Sequence, residues 1–376
     1  MVHAPHRHPG EADVMTGTLS RYFGRRFLTT LLAVLAGIFA LVILIDYVEL
    51  MRRMSDIPNL SALDVAKISL FRVPQIAERI LPFCVLIGAM SCFLDLSRRL
   101  ELVVSRAAGM SAWQFIAPAI LVAILVGAVA TAIFNPMAAV LAERSKRMEA
   151  ELTGNNQGRV QQTVIGFWLT QRSNQGQSII NATASREQGA LLSNVTVIAF
   201  NQEGHFRERI EAKTAALETG HWRLGDARVY TLDAPPVEQA TYLLETNLTP
   251  AQVRESFSTP ETVPFWQLPE YIELAERSGL TAAGYHLQYQ KLLARPLMLS
   301  AMVLLAAAFS LRFFRFGGVQ KMVLGGVASG FLLYVVSKVT DDLSNAEMVP
   351  PTVAAWFPAV LGSMIGVVAL LYQEDG

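Results

Sequence analysis

Across this chain of 376 residues, the side chains best suited to acting on another molecule are cations at the ends of apolar segments. Arg52, Arg53, Arg79, Arg144, Lys146 and Arg295 are of this kind. Their charged groups would bind phosphate oxygens on an amphiphilic ligand, and arginine does so with a planar, two-pronged donor. The same residues would equally serve by snorkelling, with stems on apolar surface and heads among lipid headgroups. Residue type and spacing leave the two readings level. Lys67, Arg72, Lys291, Lys338 and Arg147 occupy comparable places.

Other chemistry lacks the residues it needs. No Gly-x-x-x-x-Gly-Lys-Ser/Thr run is present, so nucleotide phosphates are not held in that way, and neither Gly-x-Ser-x-Gly nor His-Glu-x-x-His occurs. His205, His221 and His286 are scattered, and Asp341-Asp342 reads as a solvated pair in a loop. His3, His6 and His8 read as a tail rather than a metal tract. Cys84 and Cys92 lie eight residues apart in one apolar segment, about 12 Å along a helix, which is too far for a disulfide. They read as packing residues. The expectation is a non-enzyme with no cofactor and no metal. Basic and acidic residues balance at 31 each, which argues against a nucleic-acid partner.

The elements that position the cations are hydrophobic. Residues are 52% apolar and only 16% charged, against about 25% charged in soluble domains. Six segments approach the roughly 20 residues that cross a bilayer: Phe27 to Ile45, Ile80 to Leu96, Trp113 to Phe134, Leu297 to Leu311, Met322 to Val339 and Val353 to Tyr372. No small-residue cleavage site follows the first, so it reads as a span and not a signal peptide, and Met15 is a second candidate start. Arg21, Arg25, Arg26, Arg98, Arg99, Arg106, Arg312, Arg315 and Lys321 fall on one side, which the positive-inside rule makes cytoplasmic. Both termini then lie inside and the long middle region lies outside.

The expected organisation is an N-terminal tail over 1–20, three spans over 21–136, a middle domain over 137–290 and three spans over 291–376. Asn135 to about Leu152 reads as the third span continuing beyond the membrane. Thr163–Leu169, Ser178–Ala182, Val195–Phe200, Ala212–Leu217, Trp222–Leu224, Ala227–Leu232 and Ala240–Glu245 read as seven or more strands of a β-sandwich or open jelly roll. Trp266 to Ser278 reads as an amphipathic helix, and Ala282 to Ala294 as a helix leading into the fourth span. The fold class is thus an α-helical membrane protein with an inserted all-β, jelly-roll-like domain.

Two further patterns point to contacts. Between spans two and three, residues 98–110 carry a helical apolar face (Leu100, Val103, Val104) beside Glu101 and Arg106, and end at Gly109. A short helix of this kind suits a groove on another protein, or simply the membrane interface. In span five, Gly326 and Gly330 form a small-x-x-x-small pair that permits close helix approach.

Several stretches carry a resemblance: Arg21-Tyr22-Phe23-Gly24, Glu49-Leu50-Met51-Arg52-Arg53, Glu101-Leu102-Val103-Val104 through Gly109, Gly166-Phe167-Trp168, Tyr285-His286-Leu287 through Pro296, and Gly330 to Val336. In this order and spacing the chain resembles the lipopolysaccharide export permeases, the LptG branch more than its paralogue LptF. The resemblance implies a twelve-helix pore shared with LptF, two copies of the ATPase LptB on the cytoplasmic loops, LptC alongside and the bridge protein LptA beyond. Lipopolysaccharide would leave the outer leaflet of the inner membrane for periplasmic jelly rolls.

By the same resemblance Glu101 would be the docking carboxylate, and Leu102, Val103, Val104, Arg106 and Gly109 would belong to the coupling helix. Spans one and five would line a lateral gate, for which the Gly326/Gly330 face would be smooth. Arg52 and Arg53 would touch substrate phosphates, and Lys146 lies near a further such position. Asp46 departs from the pattern, standing where relatives can carry a lysine. Lipoprotein-release and macrolide-export permeases fit less well, because their large outer domain follows the first span rather than the third.

Overall fold

The computed structural model describes residues 9–55, 61–101, 104, 107, 109, 111–154, 167–173, 176–186, 191–231, 234–246, 260–277, 282–314 and 319–374. Its elements run α1 (Pro9–Arg53), α2 (Ala62–Arg98), α3 (Ala112–Val129), a π-helical turn (Ala130–Phe134), α4 (Asn135–Gly154), strands β1 to β6, α5 (Leu268–Arg277), α6 (Ala283–Phe314), α7 (Val319–Asn345) and α8 (Pro351–Glu374). The chain divides into two compact units, residues 147–286 and the remainder.

Six helices are long and apolar enough to cross a membrane: Leu19–Arg53, Ala62–Arg98, Ala112–Lys146, Ala283–Leu311, Val319–Asn345 and Pro351–Gln373. Each contains one expected segment, and the third includes the polar extension beyond Asn135. Helix α1 begins at Pro9, so helix reaches well into the segment read as a tail. The bundle core gathers Phe27, Leu31, Leu86, Phe93, Phe115, Ile116, Leu299 and Met302, and both cysteines are buried and unpaired as disulfides. The end holding residues 99–111 is called here the loop end, and the opposite one, where α4 leaves span three, the domain end.

At the domain end, α3 and α6 cross at a site built from three imperfections. Pro296 inside α6 has no N–H, which leaves the carbonyl of Leu292, four residues earlier, without its helical donor. The hydroxyl of Thr131 supplies one at 2.9 Å, from within the π-helical turn of the neighbouring helix. One turn away, Gly127 faces Pro296 so closely that an added Cβ would lie 2.6 Å from the proline Cα. A bare glycine is what lets the kinked helix reach the threonine.

In the inserted unit the described strands form one antiparallel meander in chain order: β1 (Phe167–Ser173), β2 (Gly176–Arg186), β3 (Leu191–Phe200), β4 (Phe206–Glu218), β5 (His221–Tyr230) and β6 (Val237–Glu245). Alternation places Ile180, Val195, Val197, Ile210, Leu217, Trp222, Leu224 and Leu244 on one buried face. Seven or more strands were expected, and six are described. Trp222–Leu224 and the described start of Ala227–Leu232, as far as Tyr230, belong to one strand, because Asp226 takes a left-handed turn (φ 50) within β5 without ending its pairing, and Leu232 lies outside the described residues. Thr163 to Gly166 lies outside the described residues.

The sheet rolls up rather than lying flat. Flat strands spaced about 4.8 Å apart would separate β1 from β6 by over 20 Å. Yet Gln171 of β1 donates from Nε2 to the carbonyl of Glu245 at 3.3 Å, and its Oε1 accepts from Thr246 at 2.6 Å and from the Trp222 indole at 3.1 Å. Trp222 is fully buried and Gln171 is 1% exposed, so this clasp satisfies polar groups inside an apolar fold. Near it, burial and the Glu208 carboxylate, 2.7 Å away, push the Tyr242 phenol up to about 12. Helix α5 buries Leu268, Ile272 and Ala275, as its amphipathic pattern anticipates.

Candidate functional site

Carboxylates meet most of the cations at the domain end. Glu78 lies 20 residues from Arg98 along α2, about 30 Å from the loop end, or one hydrocarbon thickness. It pairs with Arg295 of α6 and accepts from the Asn135 amide at 2.8 Å; Glu78 is 8% exposed and Arg295 15%. Asp46 of α1, 6% exposed, pairs with Arg72 of α2 at 3.2 Å. Lys291 of α6 pairs with Asp341 of α7 at 2.7 Å. The pairs link α1 to α2, α2 to α6, and α6 to α7.

This layer changes the standing of several residues. Arg295 is held inside the bundle by Glu78, which Asn135 also contacts, so it does not reach outward with the other candidate phosphate ligands. Asp341 is not in a solvated loop: it is a buried residue of α7, and only Asp342 is exposed, paired with Lys338 at 3.0 Å. The departure at Asp46 is balanced within the chain by Arg72.

The remaining cations lie on the surface. Arg52 and Arg53 share Glu49 one turn earlier, at 2.9 Å and 3.6 Å. Those pairs stay within one helix and link no two helices. Arg79 is exposed on α2, and Arg144 and Lys146 are exposed on α4. The opposite face of α4 is fixed by buried Ala138, Ala139, Ala142 and Ser145, the last donating to the Ile68 carbonyl at 3.2 Å. Arg144 makes no ion pair among the described residues.

The loop end is built differently. Helix α2 stops where Leu100 takes a left-handed conformation (φ 59), and the chain then resumes helical bonding, with the Val104 N–H donating to the Leu100 carbonyl at 3.0 Å. Gly109 turns left-handed at φ 88, and Ser111 begins α3 in a capping box with Gln114. Leu100 and Val104 are 57% and 66% exposed, an apolar face left outward. Leu102, Val103 and Arg106 lie outside the described residues. Asp95 receives Arg26 at 2.5 Å and Arg99 at 3.2 Å, while the Tyr22 hydroxyl donates to Glu101 Oε2 at 3.1 Å.

Gly326 and Gly330 are both buried, and they pack α7 against α2. An added methyl would overlap the Met90 thioether at the first and the Leu86 side chain at the second. Sequence reasoning passed over Tyr22, Glu78, Asp95, Gly127 and Thr131. Glu78 did carry a signal, since an acidic residue within an apolar span demands a partner. Thr131 and Gly127 carry none until the kink at Pro296 is known.

Among the described residues, six membrane-length helices joined by buried charge pairs, with a β domain inserted after the third, are the features of a multi-pass membrane protein. The model of the family "Lipopolysaccharide export system permease LptF/LptG" matches residues 21–372, and the chain belongs to that family. It is similar to LptG, the lipopolysaccharide export system permease protein, of Escherichia coli K12, at 24% identity over 364 residues, 95% of this chain and 99% of that protein. It is likewise similar to LptG of Haemophilus influenzae, at 23% over 355 residues, 92% of this chain and 96% of that one.

Proposed function

We propose that this chain is an LptG-like subunit that pairs with an LptF-type paralogue in the inner membrane and moves lipopolysaccharide out of the outer leaflet. In this reading both termini and the loop end face the cytoplasm, and the β domain lies in the periplasm. ATP is hydrolysed by a separate LptB-type dimer. LptC associates beside the spans, and the lipid passes onward to an LptA-type bridge.

The observation that carries the reading is the exposed face at the loop end. Leu100 and Val104 stand outward beside Glu101, in a segment too short to form a domain. Exposed apolar side chains next to a carboxylate suit a partner groove with a basic residue at its rim. Residues 98–110 are therefore assigned to ATPase docking, with Glu101 as the charged contact and Leu102, Val103, Val104, Arg106 and Gly109 forming or ending the coupling segment. ATP-driven closure of the ATPase dimer would then move the spans, and the work done is the difference in lipid affinity between two cavity states.

For the substrate, Arg144, Arg52, Arg53, Lys146 and Arg79 are assigned to phosphate contact, with Arg144 foremost because no acid competes for it among the described residues. The Gly326/Gly330 face supports the gate by holding span five close to span two. Co-purification tests the docking assignment: Glu101→Ala should release the ATPase subunit, and undiminished retention would sink the role. A photo-crosslinking residue at position 144, 52 or 146 should label lipopolysaccharide. Labelling elsewhere in the cavity with none at these three would remove the substrate assignment.

A further inference from the structure

Helix α1 is buried unevenly: its loop-end turns sink Phe23, Phe27 and Leu31 into the core, while only 6% of its most apolar stretch is buried within the chain. Two polar contacts tie its loop-end turns to the last turn of α2 and to the segment that follows it. Arg26 reaches Asp95, which also holds Arg99, and Tyr22 reaches Glu101 from one turn further back. The Tyr22 ring is placed by an edge-on contact with Phe23, 5.7 Å between centroids, and Phe23 is itself buried against Phe115 of α3. The phenol therefore stands on an anchored turn while its hydroxyl points at the carboxylate.

We propose that Tyr22 is a positioning residue for Glu101, and that Tyr22–Glu101 carries movement of the docking segment to span one, beside spans two and three, which the chain joins to that segment directly. The proposal rests on the docking role assigned above. A carboxylate accepts several hydrogen bonds, so a donor on Oε2 orients the group without barring a basic partner. That donor narrows the rotamers open to Glu101, so its loss would raise the entropy cost of each productive contact.

The test uses the full complex with its paralogue and ATPase in lipid nanodiscs, carrying Tyr22→Phe, Glu101→Gln or both. Tyr22→Phe removes one oxygen and keeps the ring contact, so thermal stability should be unchanged. Lipopolysaccharide released per ATP hydrolysed should fall several-fold, with Glu101→Gln falling at least as far. The double variant should be no worse than Glu101→Gln alone, because the hydroxyl acts only through the carboxylate. Multiplying losses, or unchanged release per ATP in Tyr22→Phe, overturns the positioning role while leaving docking intact. If Glu101→Ala retains the ATPase undiminished, the docking reading falls and the Tyr22 proposal falls with it.

Discussion

The two ends of the span bundle treat charge in opposite ways. At the domain end, Glu78–Arg295, Asp46–Arg72 and Lys291–Asp341 each join two helices and each contains a carboxylate that is at most 11% exposed. At the loop end, Asp95 is 43% exposed and Tyr22 also 43%, and their partners sit on short or exposed turns. Burial makes a matched pair hard to break, because one charge left alone in an apolar setting is costly. Exposure lets a pair exchange partners cheaply. The domain end is thus built to keep its helices together, and the loop end to let its contacts exchange.

The largest effect should come from orphaning a buried charge. Arg295→Ala leaves Glu78 with only Asn135, and should cost about 3–5 kcal/mol of stability, read as a lowered unfolding temperature of the purified protein in detergent. Glu78→Leu combined with Arg295→Met should recover most of that loss; equal damage in the double variant would mean that the pair does more than neutralise itself. Gly127→Val comes next. It drives a branched side chain into the Pro296 backbone, and a cost of about 1–3 kcal/mol is expected by the same measurement. Thr131→Val keeps the shape but orphans the Leu292 carbonyl, for about 1–3 kcal/mol. Arg26→Ala, at the loop end, should barely move the unfolding temperature while lowering lipid release per ATP. A loss matching that of Arg295→Ala would erase the contrast between the ends.

Much of the architecture was legible before any coordinates. Spans are written in composition, since a bilayer demands about 20 apolar residues, and all six expected segments lie inside membrane-length helices. Strand positions were also visible, although Gly225-Asp226 read as a break when the backbone merely bends there. Partnership was not legible. Arg295 looks like Arg144 in sequence, and only the approach of α2 shows that Glu78 claims the first. Asp341 looked solvated because its neighbour Asp342 is. Thr131 became interpretable only once Pro296 was seen to strip Leu292 of its donor, for hydrogen-bond debts are settled between helices 161 residues apart in the chain.

The Gln171 clasp has a consequence for how the inserted domain is made. Every neighbouring pair of described strands is a local hairpin, so the meander can grow one hairpin at a time as the chain emerges on its own side of the membrane. Closing it is another matter, because Gln171 must find Thr246, 75 residues later. Until that residue emerges, the Gln171 Oε1 that accepts from the Trp222 indole lacks its second donor, and the apolar face of the sheet stays open. Closure is therefore expected to come last and to come at once, so the burial of a single tryptophan would report the moment at which six strands become a domain.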